Sequence, residues 1–152
     1  MPRQNKYVLP VLVLILLIAA GFFFLKQKST KQPSAQAPMT VISAQALEEH
    51  YGLRVNLVAV TAAGGMVDLR LKMLDGEKAK AFLQDKKNFP ELYIADGDVT
   101  LKASEDTISQ EIKFETDGNI FLLFPNGANM VKRGTSVTVM FGDTALEPIE
   151  AK

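Results

Sequence analysis

Apolar and polar positions follow three regimes along the chain. From Tyr7 to Leu25 the residues run YVLPVLVLILLIAAGFFFL, without a charged side chain. From Lys26 to Val41 apolar residues have no period, and from Leu53 onward they recur every second residue. The first regime predicts a membrane-spanning helix. At 1.5 Å per residue, its 19 residues reach about 29 Å, roughly the thickness of a bilayer's hydrocarbon core. Pro10 falls in the first turn, where a missing N–H breaks little, and Tyr7 and the flanking lysines suit the two interfaces. A cleaved signal peptide is the rival reading. Against it, large residues follow the apolar core, Pro38 follows Ala35-Gln36-Ala37, and Ala44-Gln45-Ala46 lies far downstream.

The second regime, KQKSTKQPSAQAPMTV, cannot bury enough surface to fold by itself and reads as a spacer. This divides the chain into a tail and anchor over residues 1–25, a linker over 26–43 and a domain over 44–152. Ser43 is placed to cap a short helix, Ala44 to Tyr51, that stops at Gly52.

In the third regime Val67, Leu69, Leu71 and Met73 alternate with Met66, Asp68, Arg70 and Lys72, a strand with one wet face. Leu53–Thr61 precedes it across Ala62-Ala63-Gly64-Gly65 as a hairpin. Asp75 caps a second helix in which Ala79, Phe82 and Leu83 share a face. Glu91–Ala95 and Val99–Ala103 form a hairpin around Asp96-Gly97-Asp98, and Thr107–Glu115 and Asn119–Phe124 another around Asp117-Gly118. Ile120 to Phe124 are all apolar, which predicts a central strand with Phe121 and Leu123 buried. After the Pro125–Asn129 loop, Val137, Val139 and Phe141 mark a strand, and Leu146–Ile149 a last one. About eight short strands with antiparallel turns and one or two short helices predict an all-β fold. An immunoglobulin-like antiparallel β-sandwich fits best, with a small barrel as the alternative.

Thr61-Ala62-Ala63-Gly64-Gly65-Met66-Val67-Asp68-Leu69-Arg70, Asn126-Gly127, Val137-Thr138-Val139 and Gly142-Asp143 together resemble stretches of uncharacterised bacterial single-pass membrane-anchored β-sandwich proteins. The resemblance covers the first hairpin and the C-terminal strands and implies no activity.

Charge refines this picture. The chain is neutral overall, yet twelve basic and seventeen acidic residues lie from Glu48 onward, so the domain carries −5 and the anchor region +5. An acidic domain repels phosphate backbones, which excludes nucleic acid as an expected partner, while the basic flanks suit anionic headgroups. The flanks are balanced, so the positive-inside rule does not choose an orientation. The architecture favours the N-terminus inside and the domain outside the cytoplasm. The absence of cysteine removes disulfides, thiol catalysis and thiolate zinc sites.

Candidate chemistry is sparse. His50 is the only histidine and follows Glu48 and Glu49 in the first helix, where a solvated side chain is the ordinary reading. No nucleophile motif accompanies it. The six methionines include no His-x-Met pair, and Met73 and Met140 read as core. Asp96 and Asp98, with Glu105 and Asp106, form the best group of oxygen ligands for a cation. They lack the spaced loop of an EF-hand, and Asp-Gly-Asp is also ordinary turn chemistry. No cofactor is expected. Ala62–Gly65 and Asn126–Asn129 suit either recognition loops or plain tight turns. These features predict a membrane-anchored, non-enzymatic binding or assembly module of the cell envelope with a protein partner. A small metal-dependent or carboxylate-based extracytoplasmic enzyme is the alternative.

Overall fold

The computed structural model describes residues 39–103 and 112–152. The expectations for Tyr7–Leu25, for the linker up to Pro38, and for Glu105 and Asp106 lie outside the described residues. Among the described residues no helix is long and apolar enough to cross a membrane.

Two capped helices form as expected. Helix α1 (Ala44–Tyr51) begins where the Ser43 hydroxyl accepts a hydrogen bond from the Ala46 N–H, and ends at Gly52, whose φ of 64° lies in the left-handed region. Helix α2 (Gly76–Leu83) is capped by Asp75, which accepts from the N–H groups of Glu77 and Lys78. The two caps touch: the Gly52 carbonyl accepts from the N–H groups of Leu74 and Asp75. A Cβ on Gly52 would lie 2.7 Å from both the Asp75 Cβ and its carbonyl oxygen. Gly52→Ala therefore combines a left-handed penalty of about 1–2 kcal/mol with displacement of the α2 cap. A loss of about 2 kcal/mol is expected in thermal or denaturant melts, and an unchanged melt would mean that the two caps are not coupled.

The rest is mostly β. Ahead of α1 comes strand β1 (Thr40–Ile42), inside the segment read as linker. It pairs in parallel with β8 (Thr144–Leu146). Strands β2 (Leu53–Thr61), β3 (Met66–Met73) and β6 (Asn119–Pro125) make a three-stranded antiparallel sheet in the order β2-β3-β6. The larger sheet runs β1-β8-β7-β4-β5, from β4 (Pro90–Ile94), β5 (Val99–Lys102) and β7 (Ser136–Phe141), with β9 (Ile149–Glu150) also on β7. Between β8 and β9 the register against β7 slips by one residue, at Glu147-Pro148, so the single last strand expected from the sequence is two short pieces. Pro148 has no N–H for the ladder, which explains the break.

Alternation sets the core. Val67, Leu69, Leu71 and Met73 of β3 and Ile120, Leu122 and Phe124 of β6 face inward, opposite Leu92, Ile94, Val137, Val139 and Phe141 of the larger sheet. In β2 the register shifts between Val55 and Leu57. This bulge lets Val55 and Val58, three residues apart, both turn toward the core. Leu47 of α1 and Ala79 and Leu83 of α2 join the same core.

Two expectations are corrected. Of the expected strand Thr107–Glu115, residues 107–111 lie outside the described residues and Ile112–Glu115 is irregular, while β6 pairs with β3. The β6 strand is also not apolar-buried on both faces. Phe121 is 58% and Leu123 40% exposed, because they point away from the larger sheet while Ile120, Leu122 and Phe124 fill the core. The Arg70 guanidinium covers Phe121, 5.4 Å from its ring centroid.

The domain has two distinct ends. At one, the Thr40 N–H donates to the Asp143 carbonyl at 2.8 Å, so the chain enters beside the Gly142-Asp143 turn. The pairing of Pro90 with Phe141, and the ends of β3 and β6 at Met66 and Pro125, place the other loops. Ala62–Gly65, Ala95–Asp98 and Asn126–Thr135 gather at the opposite end.

Candidate functional site

The loop end is built around Asn126, a polar side chain only 4% exposed. Its Nδ2 donates to the Gly64 carbonyl and to the Val131 carbonyl, each at 2.8 Å, and its Oδ1 accepts from the Val131 N–H at 2.9 Å. Its own N–H donates to the Gly65 carbonyl at 2.9 Å. The two stretches noted as possible recognition loops are thus tied into one structure by a single buried amide.

Both loops hold left-handed backbone at residues other than glycine. Ala62 and Ala63 have φ of 49° and 53°, and Ala128 and Asn129 have 53° and 52°. Such residues cost about 1 kcal/mol or more each, and they persist where surrounding bonds over-determine them, as Asn126 does here. Gly64, at φ 95°, is where the loops come closest: a Cβ there would lie 2.9 Å from Asn129 Oδ1.

Beside this junction lies an open groove of about 380 Å³. Val60, Ala63 and Val131 form its apolar floor, and Gly64 and Asn129 close one side. Lys132, Arg133 and Lys152 supply its cationic rim. Lys152 is held there because its N–H donates to the Val58 carbonyl and its carbonyl accepts from the Val60 N–H, both at 2.9 Å. Lys132 and Arg133 follow the anchored Val131, and the Lys132 N–H donates to the Thr135 hydroxyl at 2.9 Å. These cations were not among the candidates expected from local pattern. The signal was present as a Lys-Arg doublet just after a loop in a net acidic domain.

The other candidates are dispersed. Asp96 and Asp98 lie in the β4–β5 turn, where Asp98 takes the left-handed conformation at φ 48° in place of Gly97 and accepts from the Tyr93 hydroxyl at 3.3 Å. Glu105 and Asp106 lie outside the described residues. Among the described residues no three His, Cys, Asp or Glu side chains gather where they could hold a metal ion. His50 is exposed on α1, edge-on to Tyr51. Nearby, Arg54 donates twice to Glu48, at 2.7 and 2.9 Å, and this hydrogen bonding, with the guanidinium charge, holds the Glu48 carboxyl below its usual range. That pair lies toward the chain-entry end, away from the groove.

Comparison of the chain with protein-family models, with curated proteins and with solved structures finds no match.

Proposed function

We propose that this protein is a non-enzymatic binding or assembly module of the cell envelope, anchored in a membrane by Tyr7–Leu25. Its domain then stands outside the cytoplasm and presents the Asn126-centred loop end to a partner protein. The observation that carries this reading is the polarity of the domain. The chain enters beside Asp143, and the cross-linked, backbone-strained loops lie at the other end. A tether at one end and preorganised loops at the other suit a module that reaches away from its own membrane.

The immunoglobulin-like form belongs to the same reading and draws support from strand pairing. β2-β3-β6 follows the A-B-E order of such sandwiches, and β4-β7-β8 follows C-F-G, with β5 on the outer side of β4. On this reading the loop end comprises the A–B, C–C′ and E–F connections.

The test uses the full chain in its membrane. It should sediment with membranes through high-salt and carbonate washes, and protease added to intact spheroplasts should remove the domain. A photo-cross-linking residue at Gly127 should capture a partner, since a Cβ there meets nothing within 4 Å, while the same residue at Asp143 should not. Release by salt alone would overturn the anchor, protection in spheroplasts the orientation, and adducts at Asp143 only the choice of end.

A further inference from the structure

We infer that the groove beside Asn126 is a binding site for a compact oxyanion, specifically a phosphomonoester group. This rests on reading the loop end as the binding end, and it names a ligand chemistry there. Three cationic residues, Lys132, Arg133 and Lys152, line the groove, and no acidic side chain does. Elsewhere in the described residues Arg54, Arg70, Lys72, Lys87 and Lys102 each pair with a carboxylate, while Lys78, Lys80, Lys86 and Lys113 do not. Lys132, Arg133 and Lys152 take part in no salt bridge among the described residues.

The chemistry of the rim suits phosphate. A guanidinium offers two parallel donors to two oxygens of one phosphate, and the two ammonium groups add point charges for the rest of a dianion. The Asn126 bonds and the close Gly64–Asn129 approach hold the floor in place before any ligand arrives, which lowers the ordering cost of binding. Val60, Ala63 and Val131 leave an apolar floor for a short carbon body next to the phosphate. The domain's own charge selects for size. An extended polyanion meets repulsion from the whole acidic surface, whereas a small ligand within about 8 Å of the rim feels mainly the three local cations.

A free phosphorylated small molecule and a phosphomonoester lipid headgroup share this chemistry. The full chain in non-ionic detergent is titrated calorimetrically, at constant ionic strength, with inorganic phosphate, glycerol phosphate and short-chain phosphatidic acid. Saturable binding of glycerol phosphate is expected. Arg133→Gln should weaken it about tenfold, as should Lys132→Gln with Lys152→Gln together, for about 1.4 kcal/mol each. These side chains are exposed, so the variants should melt like the parent. Lys102→Gln, on β5 away from the groove, should bind like the parent. Equal affinity for glycerol phosphate and phosphatidic acid assigns a free ester; tenfold preference for the lipid assigns a headgroup. Absence of binding by every probe overturns the inference, as does binding that Arg133→Gln and the double variant leave unchanged. A Gly127 cross-link without phosphate binding would remove this inference and leave the loop-end reading standing. Phosphate binding without the cross-link would keep the loop end as the binding end and remove only its protein partner.

Discussion

Phe124→Ala is expected to lower the unfolding free energy by about 3–5 kcal/mol, while Phe121→Ala, three residues earlier on the same strand, should lose only about 1 kcal/mol. Phe124 is fully buried opposite Val67, so its truncation removes apolar burial and leaves a cavity between the sheets. Phe121 has more than half of its surface in solvent and contributes chiefly its contact with Arg70. Both changes remove the same side chain from the same strand, so propensity cancels and the difference reports the face alone. Urea melts followed by circular dichroism provide the measurement. For a domain of this size, 1 kcal/mol corresponds to a few degrees in Tm, so the two variants should be separated by about 10 °C or more. Equal losses would show that the outer face of β2-β3-β6 is covered.

Asn126→Leu is expected to cost about 3 kcal/mol and to loosen the loop end selectively. Leucine fills similar space but makes none of the three side-chain bonds to Gly64 and Val131. The Val131 N–H and carbonyl then remain buried without partners, at about 1–3 kcal/mol for each such group. The four left-handed residues beside them lose part of the framework that holds them. Hydrogen exchange should show the Val131 amide opening far faster than in the parent, with the amides of β4 and β7 falling only with global stability. Uniform loss of protection would mean that Asn126 supports the core as a whole. An unchanged Val131 would mean that the amide does not hold the loops. Phosphate affinity should fall in the same variant, because Lys132 and Arg133 follow Val131 directly.

Much of the fold was legible because it is local. Ser43, Gly52 and Asp75 mark helix ends through their own hydrogen bonds and backbone freedom, and both helices form where these residues predict. The β3 alternation defines its buried face without reference to a partner, and its four inward residues are in the core. The hairpins at Ala62–Gly65 and Asp96–Asp98 close over short distances for which turn chemistry suffices.

Other features depend on neighbours that local pattern does not specify. The sequence of β6, apolar at five consecutive positions, suits a central strand or an outer strand with an oily exposed face. Only its pairing with β3, and the position of Arg70, left Phe121 outside. The short Thr40–Ile42 strand has no period of its own and becomes a strand because β8 offers a free edge about a hundred residues later. The loop end is the clearest case. The composition of Ala62–Gly65 and Asn126–Asn129 indicates two turns, but the bond from Asn126 to Gly64 spans 62 positions. Lys152 reaches the groove through its pairing with β2 and the bonds of Ala151 to Gly134 and Thr135. The helices, the inward face of β3 and the turns of the first two hairpins follow from local pattern, because they arise from interactions within a few residues. Sheet order and long-range pairing set which faces are covered, which loops meet and which cations line one groove, because they bring together groups that no short stretch of sequence relates.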